Sequence, residues 1–166
     1  MGGAAEDAPG SLGRMDEMKF MRSALVFVVT ILVCSTLWAG APPGQYSLVA
    51  DGGVVKDNKS GLLWQRGCSD GGMSRMEADA YCRALSIAGL GPGWRVPTKF
   101  ELETLVSDDA VSPSIDRTAF PDTPAEVFWT STPSMGGADN IWAVLFSTGG
   151  SSSGGAASAY WVRCVR

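Results

Sequence analysis

Histidine is absent from this chain of 166 residues. Because histidine is the commonest general base in enzymes and a frequent metal ligand, its absence excludes Ser–His and Cys–His catalytic pairs and the usual zinc sites. Charged residues are also few, at 18%, and lysine and arginine form no basic run. With 17 acidic and 13 basic residues, the net charge is −4, and we expect no binding to nucleic acid.

No apolar run reaches the usual length of a membrane span, which is about 20 residues. The best candidate covers residues 24–39, where only three of sixteen positions are polar. Basic residues precede this run from Lys19 to Arg22, and the small residues Ala39-Gly40-Ala41 follow it. This order is typical of a secretory signal peptide, and a membrane anchor is the alternative.

These features predict the domain organisation of the chain. We expect residues 1–17 to lie outside the native protein, because their acidic residues precede the basic start of the leader and translation can begin at Met18. A signal peptide over 18–41, a linker over 42–45 and one domain over 46–166 then follow. The predicted location is the periplasm, the cell surface or the medium, and contact with the membrane is expected only through the signal segment.

Cysteine is scarce, and only Cys68, Cys82 and Cys164 remain after the predicted leader. An odd number leaves one of them free or paired between chains. A Cys82–Cys164 disulfide is favoured because it would close almost the whole domain into a loop and so constrain the unfolded chain strongly, while Cys68–Cys82 is the local alternative. Three cysteines without a close pair make a zinc site a poor interpretation.

Two helices and several short strands are predicted by local patterns. Ser74 with Glu77, and Thr98 with Glu101, are spaced as capping boxes, and the predicted helices run to about residues 88 and 106. The predicted strands cover residues 46–50, 62–65, 127–130, 141–146 and 160–166. The Gly/Ser-rich residues 149–158 are predicted to be a mobile hairpin loop. The order of elements indicates an α+β domain in which two helices pack on small antiparallel sheets with long irregular loops.

Six short blocks in chain order resemble the Lcl C-terminal domain family, which is named for the module that ends a bacterial collagen-like adhesin. They lie at residues 61–66, 80–85, 93–102, 119–121, 129–132 and 162–166. The resemblance covers residues 46–166 and implies a C-type-lectin-like fold in an exported bacterial protein. It also implies a disulfide from the first helix to the last strand, which corresponds to Cys82 and Cys164.

The resemblance implies a ligand less firmly than a fold, because fold does not determine function. The founding adhesin of the family is linked to sulfated polysaccharides and host surfaces, and this chain lacks its collagen-like stalk. The chain also lacks the Glu-Pro-Asn and Gln-Pro-Asp tripeptides of calcium-dependent sugar binders. We therefore expect no cofactor. Calcium is the alternative, but no recognised motif supports it.

Most of the distinctive residues are predicted to be structural. Tryptophan side chains in strand or turn motifs are usually core residues. The alternative is a platform for sugar stacking formed by Trp64, Trp94, Trp129, Trp142 and Trp161. Arg95 is expected to hold its turn by pairing with a carboxylate or a carbonyl group, and binding of a sulfate is the alternative. The residues assigned to the scaffold are Trp64, Cys82, Trp94, Arg95, Pro97, Thr98, Trp129 and Cys164.

Ligand binding is predicted on the loops over 107–126, 131–140 and 148–158, because loops on a rigid scaffold commonly carry function. The candidate residues are polar or acidic and offer oxygen ligands: Asp108, Asp109, Asp116, Asp139 and Asn140. We predict a recognition module without enzymatic activity that binds a polysaccharide or a surface protein. The alternatives are a relative of formylglycine-generating oxidases, which would need a reactive thiol pair, and a structural domain of the cell envelope.

Overall fold

The computed structural model describes residues 1–2, 41–137 and 139–166. The predicted signal peptide lies outside the described residues, apart from Ala41. The described elements form an α+β domain with two antiparallel sheets of three strands each and two short helices. Within the described part of the chain, no helix has the length and apolar character needed to cross a membrane.

The first sheet consists of β1 (Tyr46–Val49), β2 (Val54–Asp57) and β3 (Leu63–Gln65), joined as antiparallel neighbours in that order. Strand β2 was not predicted, because Val54 and Val55 are adjacent and break the alternation expected of a strand with one exposed face. Both valines are fully buried, and they belong to different core clusters on opposite sides of the sheet. The strand is therefore covered on both faces, and this explains why two adjacent residues in it are apolar.

The second sheet consists of β4 (Val127–Pro133), β5 (Asn140–Leu145) and β6 (Ser151–Gly155). The prediction of a mobile loop over residues 149–158 is wrong, because Ser151–Gly155 pairs with β5 over five residues. Small side chains serve a packing purpose here: a Cβ atom at Gly154 would lie 2.9 Å from Cε2 of Tyr160. The serine and glycine residues thus allow the strand to pass closely under an aromatic ring.

Helix α1 (Arg75–Ala84) and helix α2 (Lys99–Glu103) each begin with a complete capping box, at Ser74 and Thr98 respectively. Both helices end earlier than predicted. The backbone of Leu85 is extended, and residues 87–90 form a turn in which Ala88 takes a positive φ of 45°. The apolar residues after α1 thus belong to a turn, although their spacing resembles that of a helix.

The C-terminal residues 160–166 cross the middle of the domain, and the strand predicted there is replaced by isolated bridges. Val165 bridges both Trp64 and Arg95, and Trp161 bridges Phe128. The Cys82–Cys164 disulfide joins α1 to this segment across 82 positions of sequence, as predicted. Both sulfur-bearing residues are fully buried, and the bond ties the end of the chain to the first helix.

Candidate functional site

Three of the predicted binding residues line one groove, which we call the acidic groove. It comprises two neighbouring cavities of about 210 and 200 Å³ that share Ala41, Pro42, Tyr46 and Asp116. The second cavity is also lined by residues 104–109, which include Asp108 and Asp109. The structure therefore brings Asp108, Asp109 and Asp116 to a common surface, on which the first two carboxylates are exposed.

Asp116 already has partners on the backbone. Its Oδ1 atom accepts hydrogen bonds from the N–H groups of Thr118 and Ala119, at 2.7 and 3.2 Å. Its Oδ2 atom accepts one from the N–H group of Ala41 at 3.1 Å. A carboxylate has about four lone-pair sites, so these bonds occupy most of the capacity of Asp116 and hold the groove together.

Tyr46 forms the inner wall of the acidic groove. Burial, followed by the nearby charges of Asp57 and Asp116, raises the pKa of its phenol to about 12. Its ring packs edge-to-face on Phe120 at a centroid distance of 5.4 Å. The hydroxyl group is therefore protonated at neutral pH, and the ring is fixed by the core beneath it.

Asp139 and Asn140 lie elsewhere, where the chain turns from β4 into β5, and neither lines the acidic groove. Their backbone carbonyl groups accept hydrogen bonds from Ala156 and Ser134 at 2.9 and 2.8 Å. Over the residues that the structure describes, no three or more acidic or cysteine side chains are grouped closely enough to hold a metal ion. The five predicted residues thus lie at two separate positions on the domain rather than in one site.

Arg95 donates two hydrogen bonds to Glu101, from Nη1 to Oε2 at 2.8 Å and from Nη2 to Oε1 at 2.6 Å. Glu101 Oε2 also accepts the N–H group of Thr98 at 2.8 Å. The Arg95 hydrogen bonds, against the effect of burial, hold the pKa of Glu101 at about 2. Arg95 therefore fixes the start of α2, and its planar fork is already occupied by a carboxylate.

The tryptophan residues divide into two groups. Trp64, Trp94 and Trp129 are almost completely buried, whereas Trp142 and Trp161 are half-buried. Trp161 packs against Phe128 at a centroid distance of 6.4 Å. Trp142 lies on β5 opposite Ser153 of β6, so both side chains lie on the same face of the sheet.

Helix α2 contacts β4 and β5 and completes a surface around Trp142, which we call the aromatic face. The Nζ atom of Lys99 lies 5.1 Å from the ring centre of Trp142 and 5.7 Å from that of Phe100. The side chain of Phe100 is exposed, at 77%. The aromatic face consists of Lys99, Phe100, Glu103, Trp142 and Ser151.

The charges on the aromatic face are paired. Lys99 Nζ lies 2.5 Å from Glu103 Oε1, and the Ser151 hydroxyl donates to the same oxygen at 2.6 Å. Burial alone would raise the pKa of Glu103, but the hydrogen bonds from Lys99 and Ser151 hold it below its usual value. The surface therefore offers two aromatic rings beside a neutralised ion pair and serine hydroxyl groups.

Trp142 is one of the five tryptophans for which sugar stacking was the alternative prediction, whereas Phe100 and Lys99 were not predicted. The sequence does contain one signal for the position of Phe100. Leu102 and Leu105 follow the cap at a spacing that turns them toward the core, and both are buried. Phe100 is out of phase with them, so the helical spacing places its ring on the outer face of α2, where it is exposed.

Cys68 is the free cysteine among the described residues and is half-buried. Its Sγ atom lies 3.8 Å from the carbonyl oxygen of Asp122. Burial raises the pKa of the Cys68 thiol above its usual value. Because Cys82 and Cys164 are joined to each other, the described residues provide no second thiol for Cys68.

Comparison with known families gives one match. The family model described as the Lcl C-terminal domain matches residues 53–166, which is more than two thirds of the chain. Among curated proteins, none matches the chain.

Proposed function

The chain belongs to the Lcl C-terminal domain family, and on that basis we propose that it is an exported recognition module, without catalytic activity, that binds a polysaccharide on the aromatic face. The observation that carries this proposal is a pair of rings, the exposed Phe100 and the half-buried Trp142, whose centres lie 5.7 and 5.1 Å from the Lys99 ammonium group. Aromatic rings at a protein surface present rigid apolar area at low entropic cost, and sugar rings have apolar faces that can stack on them.

Polar groups next to the rings support the choice of a saccharide. Ser151 and Ser153 are exposed on β6, and Ser151 is already oriented by its hydrogen bond to Glu103. Hydroxyl and carboxylate groups can exchange hydrogen bonds with sugar hydroxyl groups. Two of the three loops predicted to bind ligand, residues 131–140 and 148–158, flank or form this part of the second sheet.

The paired charges favour a neutral saccharide over a sulfated one. Because Lys99 is engaged by Glu103 at 2.5 Å, a sulfate would meet a neutralised cation, and the acidic groove would repel it. We therefore expect binding that changes little with ionic strength, since screening acts mainly on unpaired surface charges. We also expect binding without calcium, because Asp116 uses its oxygen atoms on backbone N–H groups.

Export is proposed from the leader predicted over residues 18–41, and the disulfide is consistent with it. Disulfides persist in oxidising compartments and are rare in reducing ones, and the Cys82–Cys164 bond lies in the core. The absence of histidine supports a role without acid–base or nucleophilic catalysis.

The test is a glycan array that contains neutral polysaccharides and sulfated glycosaminoglycans, probed with the full chain at micromolar concentration. We expect binding to neutral glycans that persists when calcium is chelated and when salt is raised. Binding only to sulfated glycans, with a steep loss in salt, would contradict the proposed charge preference. The absence of binding to any glycan would remove the carbohydrate function and leave a protein ligand as the alternative.

A further inference from the structure

Arg163 carries a buried charge that no carboxylate of the described residues neutralises. The residue has no exposed surface, and none of the ion pairs among the described residues includes it. Its Nε atom donates to the Gly67 carbonyl oxygen at 2.9 Å. Its Nη2 atom donates to the Arg66 carbonyl oxygen at 3.3 Å and to Thr123 Oγ1 at 2.8 Å.

The third nitrogen of the guanidinium group, Nη1, has no hydrogen-bond partner in the part of the chain that the structure describes. Phe120 and Phe128 flank the group, with ring centres 4.6 and 5.8 Å from its central carbon, and their π faces compensate part of the charge. A buried cation with an unpaired N–H group is costly. The site thus has the donor and the charge for an anion but contains no anionic side chain.

Cys68 is close to the same two chain segments that bind this guanidinium group. It follows Arg66 and Gly67, whose carbonyl groups Arg163 holds, and its Sγ atom lies 3.8 Å from the carbonyl oxygen of Asp122, the residue before Thr123. The thiol and the guanidinium group are therefore held by the same two chain segments, residues 66–68 and 122–123. Cys68 is half-buried, so its sulfur is not sealed from solvent.

The thiol does not supply the missing charge at neutral pH. Burial, against the opposing charge of Arg163, raises the pKa of Cys68, and burial lowers the pKa of Arg163 to about 10. The cysteine is therefore neutral while the arginine is charged. Asp70 and Asp122, whose charges also act on Cys68, are exposed and do not pair with Arg163.

We propose that Cys68 is an oxidation site at which peroxides convert the thiol to a sulfinate, and that Arg163 binds the sulfinate through its unpaired Nη1. In the first step the sulfur attacks one peroxide oxygen, the O–O bond breaks, and sulfenic acid and water (or an alcohol) form. A second peroxide oxidises the sulfenic acid to sulfinic acid in the same way. Each step oxidises the sulfur by two electrons and reduces one peroxide, and the sulfinic acid loses its proton to water.

Arg163 acts on the product rather than on the rate. A neutral, half-buried thiol reacts slowly, because the thiolate is the nucleophile. A sulfinate is an anion at neutral pH and offers two oxygen acceptors, which match a guanidinium donor. Oxidation therefore supplies the anion that pairs with the buried charge of Arg163. This role is independent of glycan binding on the aromatic face.

The first test treats the full chain with hydrogen peroxide and follows the Cys68 peptide by mass spectrometry. We expect a gain of two oxygen atoms at Cys68 and a shift of the denaturant midpoint to higher concentration. Cys68→Ser, treated in the same way, reports the effect of methionine oxidation alone. A thiol that remains unmodified, a disulfide between chains, or a sulfinate that leaves the midpoint no higher than in the control would overturn the proposal.

The second test places a permanent anion at the site without peroxide and leaves Arg163 in place. Cys68→Asp resembles the sulfinate in charge, and Cys68→Asn is the neutral variant of the same size. We expect the unfolding equilibrium constant of Cys68→Asp to be about tenfold smaller than that of Cys68→Asn, because a buried charge gains its partner. Equal or lower stability of Cys68→Asp would contradict the assignment of Arg163 as an anion partner.

Discussion

Reduction of the Cys82–Cys164 disulfide is expected to lower the free energy of unfolding by about 4.5 kcal/mol. The bond joins residues 82 positions apart. In the chain-entropy model a loop of 15 residues contributes about 3 kcal/mol and one of 100 residues about 4.7 kcal/mol. The contribution of a loop of the observed size is therefore close to the larger of these two values. The loop contains α2 and the whole second sheet.

The assay is a urea titration of the full chain, monitored by tryptophan fluorescence, with and without a reductant. Cys68→Ser serves as the background, so that the half-buried thiol of the domain does not respond to the reductant. We expect the midpoint to fall while the folded baseline is preserved, because the bond acts mainly on the unfolded chain. A reduced protein within about 1 kcal/mol of the oxidised one would refute the loop-closure reasoning.

Two further predictions concern α2 and β6. Glu101→Gln is expected to lower the unfolding midpoint at pH 7, and the difference from the wild type should fade as the pH drops from about 4.5 toward 2. The reason is that Arg95 lowers the folded-state pKa of Glu101 to about 2, so the stabilisation exists above the unfolded pKa and is lost below the folded one. A difference that does not change over that pH range would contradict the ion-pair explanation. Gly154→Ala should destabilise the protein by about 1–3 kcal/mol in urea titrations, because the new Cβ meets Tyr160. Gly155→Ala is the matched control, since nothing lies within 4 Å of its Cβ position, and equal effects of the two variants would refute the packing argument.

Local signals were sufficient to predict where the two helices begin and which fold class the domain has. Both capping boxes are complete in the structure, because they depend on residues three positions apart. The Cys82–Cys164 pairing was also correctly predicted, from loop size and from the family resemblance. The α+β class followed from the order of elements, which tertiary packing left unchanged.

Strands that depend on tertiary contacts were harder to predict. Strand β2 is covered on both faces, so Val54 and Val55 show no alternation. Strand β6 contains only serine and glycine residues, whose composition is typical of a loop. Its pairing is explained by β5 on one side and by the ring of Tyr160 above Gly154, and neither contact is visible in the local sequence.

The candidate site was predicted only in part. The acidic loop placed Asp108, Asp109 and Asp116 on one surface, but the hydrogen bonds of Asp116 to the backbone depend on chain segments far apart in sequence. The aromatic face joins α2 to β5 and β6, so its rings meet only after folding. Its ion pair between Lys99 and Glu103 was visible as a spacing of four residues, although nothing local linked it to Trp142.

The most direct test of the proposed function is the affinity of the full chain and its variants for the best neutral polysaccharide found on the array. We expect Trp142→Ala and Phe100→Ala each to weaken binding by at least about tenfold, as anchor aromatic residues do. Met76→Ala removes an equally exposed apolar side chain from α1, at 79% exposure, and should leave the affinity unchanged. Unaltered binding in both aromatic variants, with their folding verified by urea titration, would show that the aromatic face is not the site.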